Sequence, residues 1–225
     1  MRSIKFILLT PVALLIFPFS TACNEASRNF VWPWNEIISI YQSPKIESYK
    51  IRSVSLLPMV PDDTTDNGTF YSTNHFINLL EKEHPAIKFV VSDIDTAISN
   101  DSSAISKVIY SIEKKRRLDL KRFSNSELGY DVLSDSTDAM LIGIIDSCKK
   151  KNGNIITGYQ FGKRRIISCN FAYYLISLKD GRVLWKAEVV GEEGYMYSSA
   201  AELFPPLDNA ISNGMDLIVK KIPLY

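Results

Sequence analysis

Phe6 to Phe19 is apolar except for Thr10, contains two prolines and follows two cations, Arg2 and Lys5. A positive start, a short apolar run and then the small residues Ser20, Thr21 and Ala22 are the order of a bacterial secretory signal. The run is too short for a bilayer span, which needs about 20 apolar residues. This leader constrains everything after it, because the folding unit then begins at Cys23 and matures outside the cytoplasm, where thiols meet oxidising conditions. Cys23 stands where a lipoprotein signal peptidase would find its cysteine. The expectation is diacylation at Cys23 and a chain tethered to a membrane surface. Ser20-Thr21-Ala22 also suits an ordinary signal peptidase, which leaves plain secretion open. Asn24 is not the Asp that commonly retains lipoproteins at the inner membrane, so by analogy the expected address is the outer membrane, facing the periplasm.

Two of the 26 Lys and Arg residues lie in the leader, which leaves 24 against 25 Asp and Glu. That balance gives no footprint for nucleic acid, and export places the chain away from it. Hydrophobic residues make up 46% of the chain and charged ones 23%, which is the composition of a packed globular domain. The organisation expected is a signal peptide over 1–22, a lipid-anchor tether over 23–50 and one domain over 51–225. Within the tether, Trp32-Pro33-Trp34 reads as a cap on the domain core or as aromatics resting at headgroup level.

Ile51 to Met59 reads as a first strand. Phe70, Thr73, Ile77 and Leu80 predict a helix over 69–83, and Ile87 to Val91 a buried second strand. Ile105, Val108, Ile109 and Ile112 predict a helix over 103–122, with a shorter one over 126–133. Ala139 to Cys148, Ile166 to Leu178 and Arg182 to Val190 are β-rich, and Lys179-Asp180-Gly181 is a tight turn, which predicts three antiparallel strands. Leu207, Ile211, Met215, Ile218 and Ile222 form the apolar stripe of a last helix that starts near Pro205 and Pro206. The order β-α-β-α-α-β-β-β-α predicts an α/β fold, with helices packed on a mixed sheet.

Three stretches carry a resemblance. Val54-Ser55-Leu56-Leu57-Pro58-Met59 is a strand running into a proline. Glu127-Leu128-Gly129-Tyr130 leads to Thr137-Asp138-Ala139-Met140-Leu141-Ile142-Gly143, and Leu178-Lys179-Asp180-Gly181-Arg182-Val183-Leu184-Trp185 is a hairpin ending in a strand tryptophan. In this order they resemble a group of bacterial envelope lipoprotein domains that includes the curli-secretion lipoprotein CsgG, the penicillin-binding-protein activator LpoB and the amino-terminal domain of TolB. The resemblance spans about residues 51 to 222. It implies the same α/β fold and a role in envelope assembly or protein contact, with no catalytic residue to carry over. The connection between residues 149 and 165 reads as too short and too charged for the membrane-spanning strands of a pore-forming branch.

Cys148 and Cys169 fall opposite one another if their strands form a hairpin centred near Tyr159. A cross-strand disulfide or two buried free thiols would each fit. Around the same tip, Lys149, Lys150 and Lys151 leave one strand and Lys163, Arg164 and Arg165 enter the next, with Tyr159 and Phe161 between them. A basic collar about apolar residues would suit an acidic partner protein or anionic headgroups, and a solvated loop would explain the same charges. Lys114 to Arg117, with Lys121 and Arg122, sits where cations oppose a helix dipole.

Asp63, Thr65, Asn67 and Gly68 begin like a calcium loop, but Asn74 stands where a bidentate Glu is needed. His75 and His84 have no cysteine or serine in a catalytic setting nearby, and no hydrolase, nucleotide or zinc motif is present. The function expected is therefore that of an accessory or assembly factor that binds an envelope protein, with no enzyme activity, metal or cofactor, and self-assembly into an oligomer as a further option. A secreted ligand-binding protein or hydrolase is the alternative.

Overall fold

The computed structural model describes residues 34–57, 59–61, 73–91, 111–124, 133, 136–157, 160–197 and 204–224. Their elements are β1 (Glu36–Gln42), a 3-10 turn (Ile46–Tyr49), β2 (Ser53–Leu56), β3 (Val60–Pro61), α1 (Thr73–Glu83), β4 (Lys88–Val91), α2 (Leu120–Ser124), β5 (Ala139–Thr157), β6 (Gln160–Ser177), β7 (Val183–Tyr197) and α3 (Leu207–Val219). The fold is mixed α/β. Its sheet runs β1-β7-β6-β5-β2-β4, with the two-residue β3 beside β5. Pairing is antiparallel from β1 through β5 and parallel at β2, β3 and β4.

Each face of the sheet carries its own core. On one, Leu141, Phe171, Tyr173, Trp185 and Val189 pack against α1 and α3 through Phe76, Leu80, Ile211, Met215 and Ile218. On the other, Met140, Ile142, Ile144, Tyr174 and Ile176 pack against Ile112, Leu118 and Phe123. Small residues let the layers close. A Cβ on Gly143 would lie 2.8 Å from the Tyr173 ring, and one on Gly191 would collide with the Ala210 carbonyl of α3. Gly181, at φ 71°, ends the β6–β7 turn in the left-handed region that favours glycine.

Asp138 joins the parallel and antiparallel halves. Its carboxylate accepts from the Arg52 N–H at 2.9 Å and from the N–H and hydroxyl of Ser53 at 3.0 and 2.9 Å, which ties the start of β5 to the start of β2. Burial pushes this carboxyl upward, but the bonds from Arg52 and Ser53 outweigh it and hold it below the usual range.

Several expectations are corrected. The 23–50 tether is too long, because β1 joins the sheet and Ile46 is core. A register shift between Ile37 and Ser39 breaks the alternation that would have marked this strand. Trp34 does not cap the core, since it is 67% exposed. The strand at 88–91 is an edge rather than a buried strand, with Val91 exposed. The helix expected over 103–122 does not run through: residues 111–115 are helical, Arg116 turns to φ 50° and Arg117 bridges to Arg182. Pro205 and Pro206 precede α3 rather than entering its first turn. The observed order therefore adds β1 and β3 to the predicted one, and β5, β6 and β7 are far longer than expected. Residues 62–72, which hold Asp63, Thr65, Asn67, Gly68 and the start of the helix expected over 69–83, and most of the 126–133 helix lie outside the described residues.

Candidate interaction site

Residues 149–157 and 160–165 of the charged connection are strand. β5 and β6 pair from Ala139↔Ser177 to Thr157↔Gln160 with one register shift between Ile145 and Ser147, and β7 follows β6 as far as Lys163↔Tyr197. Charged residues sustain this arm because strand pairing uses backbone groups and asks only that side chains alternate between faces. Nine residues of β5 follow Cys148, about 30 Å of strand. Length therefore no longer weighs against a spanning hairpin, while the cations on both faces still do. Cys148 and Cys169 are directly opposed, with Cα atoms 4.1 Å apart, and their sulfurs form a disulfide.

The alternation splits the expected collar. Lys150 and Arg165 lie on the helix side, where both stand over the Phe204 ring ahead of α3, at 5.5 and 5.2 Å from its centroid. Lys149, Lys151 and Arg164 lie on the opposite face by register, and Arg164 donates to the Gly194 carbonyl at 3.0 Å. Acids stand beside these cations, because β7 brings Glu192 and Glu193 alongside.

Glu192 is the organising residue of the arm's foot. It is only 5% exposed, yet it holds Lys151 Nζ at 2.9 Å and accepts from the Trp34 backbone N–H at 2.8 Å. Burial pushes its carboxyl upward, but bonds from Lys151, Trp34 and Ser168 outweigh this and leave it below the ordinary glutamate range. Its own N–H donates to Asn35 Oδ1, and Asn213 of α3 donates to its carbonyl and to Glu193. Trp34 and Asn35 are thus fastened where the arm leaves the core.

A cleft of roughly 330 Å³ opens on the face away from α1 and α3, with Ile38, Ile144, Ala172 and Val189 among its walls. Its polar groups hold one another: Tyr174 donates to Glu113 at 3.1 Å, and Glu188 takes Lys186 at 2.6 Å and Ser39 at 2.8 Å. The Tyr174 hydroxyl is pushed well above its usual range, first by burial and then by the negative charges of Glu113, Glu188 and Asp146. It stays protonated and donates.

No family model and no curated protein matches this chain. Solved structures similar to it include a PelC dodecamer from Paraburkholderia phytofirmans, at 11% identity over 83% of this chain and 96% of that one, with a TM-score of 0.39. The lipoprotein GNA1162 from Neisseria meningitidis is similar at 14% identity over 66% and 87%, with a TM-score of 0.32. A hypothetical protein from Chlamydia trachomatis is similar at 9% identity over 76% and 90%, with a TM-score of 0.35. At scores below 0.5 these likenesses carry no conclusion about this chain.

Cys23 and Tyr159 lie outside the described residues, and Phe161 and Lys163 are described in backbone alone. The two histidines bind α1 to α3, His75 through Asp216 at 3.3 Å and His84 through the Val219 carbonyl at 3.1 Å. Among the described residues no group of three or more His, Cys, Asp and Glu is placed to hold a metal ion, and no helix is long and apolar enough to cross a membrane. Sequence reasoning missed Glu192, whose partners Ser168, Lys151 and Trp34 are 24, 41 and 158 positions away. Its one legible signal is a glutamate among Val189, Val190 and Gly191 in a strand pattern.

Proposed function

We propose that this protein is an exported, lipid-anchored envelope protein, held at the outer membrane through Cys23, that works as an accessory or assembly factor by binding another protein and not as an enzyme. The observation that carries the binding role is β1. It is an edge strand whose outer side has no partner strand among the described residues, and Ile38 and Ile40 on it are 55% and 46% exposed. Natural edges are usually blunted by lysine, proline or a covering element. An edge left with exposed isoleucines suits an added strand from a partner, in which backbone bonds supply affinity and side-chain pockets supply choice. The leader and the three motif stretches that resemble envelope lipoprotein domains support the location.

A photo-crosslinking residue in place of Ile40, in cells, tests this reading. A discrete adduct that is missing when the same residue replaces Glu47 supports it, and an adduct of twice the chain mass identifies a second copy as the partner. Equal, diffuse labelling at both positions would contradict it. The cleft beside Tyr174 favours one second reading, a secreted ligand-binding protein or hydrolase. In that case Tyr174→Phe would abolish function and Ile40→Lys would leave it intact.

A further inference from the structure

A helix end explains only part of the basic run from Lys114 to Arg122. The helical residues stop at 115, Arg116 turns to φ 50°, and Arg117 is carried to the β6–β7 turn, where its Nε donates to the Asp180 carbonyl at 3.0 Å. An open cleft of roughly 520 Å³ results between the helical end, the 117–121 segment and the turn. Lys115, Arg117, Lys121 and Lys179 line it from these three stretches of chain, with Leu118 and Leu120 among its walls. All four cations are exposed.

The positive charge survives a count of the neighbours. Two acids share the lining, and each is already held by an arginine from outside it. Asp119 accepts from the Arg122 N–H at 3.3 Å and faces its Nε at 3.8 Å, while Asp180 faces Arg182 Nε at 3.3 Å and accepts from the Tyr49 hydroxyl at 2.8 Å. No carboxylate among the described residues pairs with Lys115, Lys121 or Lys179. Counting those two arginines, six cations stand against two acids. Around the rim, Glu113 accepts from Tyr174, Asp138 is taken by Arg52 and Ser53, and Glu47 is offset by Lys50. Arg116 stands 4.7 Å over the Tyr41 ring of β1, so the basic segment reaches the edge strand.

The way the cations are mounted selects the kind of anion. A compact phosphate is typically gripped by backbone N–H groups or a fixed guanidinium fork. Here the N–H groups of Leu118, Lys179, Gly181 and Arg182 are spent inside the turn, on the Gly181 and Ser177 carbonyls, the Ser177 hydroxyl and Asp180. What remains is mostly lysine ammonium, a point charge on a flexible stem. Such charges, spread over an open cleft with leucines in its walls, suit carboxylates spaced along a peptide that also brings apolar side chains.

We propose that this cleft binds an acidic segment of a partner protein. The choice of a protein segment rests on the binding role proposed above, and the charge of the cleft does not. The test is fluorescence anisotropy of a labelled decaglutamate peptide with the mature chain carrying Cys23→Ala. Binding is expected at low salt and should fall as salt is raised. Lys115→Glu and Lys179→Glu should each weaken it about fivefold, the upper worth of one exposed ion pair, and Lys82→Glu on α1, with the same change of net charge, should leave it unchanged. All three lysines are exposed, and circular dichroism checks each fold.

Absence of peptide binding, or equal loss in Lys82→Glu, would overturn the proposal. Displacement of the peptide by micromolar inorganic phosphate would overturn it in favour of a phosphate site, and binding to phosphatidylglycerol vesicles with the peptide left unbound would assign the cleft to headgroups. The β1 edge is read separately, by crosslinking at Ile40, so either reading can fail alone.

Discussion

Reducing the Cys148–Cys169 cross-link should weaken the folded state by an amount that follows from its place in the chain. The two residues are 21 positions apart and close the outer half of the β5–β6 hairpin. In the chain-entropy picture, a closed loop of that length removes about 11 cal/mol/K from the unfolded chain, or ~3.3 kcal/mol at 25 °C. A protein of this size gains or loses about 2–4 °C of Tm per kcal/mol, so reduction should lower Tm by ~7–13 °C. With a urea m-value near ~2 kcal/mol/M, the unfolding midpoint should fall by ~1.6 M. The assay is urea unfolding followed by circular dichroism, with and without reductant, with thiol labelling to confirm that both cysteines have been freed. The Cys148→Ala/Cys169→Ala double variant should match the reduced protein apart from a small extra loss, because Cys169 is buried and its sulfur leaves a void. Complete labelling with an unmoved midpoint would refute the reasoning, since the cross-link would then restrict nothing that the strand ladder does not already hold.

Other consequences follow from single residues. Glu192 titrates below its ordinary value in the fold, so its contribution is fully present above the unfolded glutamate pKa and is lost as pH falls through the lower folded one. Wild type should therefore lose Tm more steeply than Glu192→Gln below about pH 4.5, and parallel Tm–pH curves would contradict this. Gly191→Ala should cost about 1–3 kcal/mol in chemical unfolding, because the added methyl meets the Ala210 carbonyl and α3 must shift. Asp138→Ala frees the N–H groups of Arg52 and Ser53 and should increase amide hydrogen exchange at those two positions and in β2, while exchange in β7 stays unchanged.

The parts of the fold legible in the sequence are those in which side chains report their own burial. Ile211, Met215 and Ile218 recur at helical spacing and are all core residues of α3, and the Lys179-Asp180-Gly181 turn separates two strands as its residue types require. The arm was hidden because its strands are held by backbone pairing beyond the core. Lys149 to Lys151 therefore carries the signature of a loop while forming part of a ladder. The bulge at Ile38 put Ile37 and Tyr41 on different cores and erased the alternation of β1. Arg116 turns out of the helical path and Arg117 pairs with Arg182, a contact 65 residues away that no local pattern encodes. The site follows the same division: the opposition of Cys148 and Cys169 could be counted from the hairpin, whereas the joint at Glu192 is made by residues brought together only by the tertiary fold.

The central claim is an exported chain fixed to a membrane through Cys23. Its most direct test is the intact mass of the mature protein extracted from membranes, beside a Cys23→Ala variant. A chain beginning at Cys23 with the added mass of a diacylglyceryl group, absent in the variant, is the predicted result. An unmodified mature chain, identical in the two proteins but for the substitution, would contradict it.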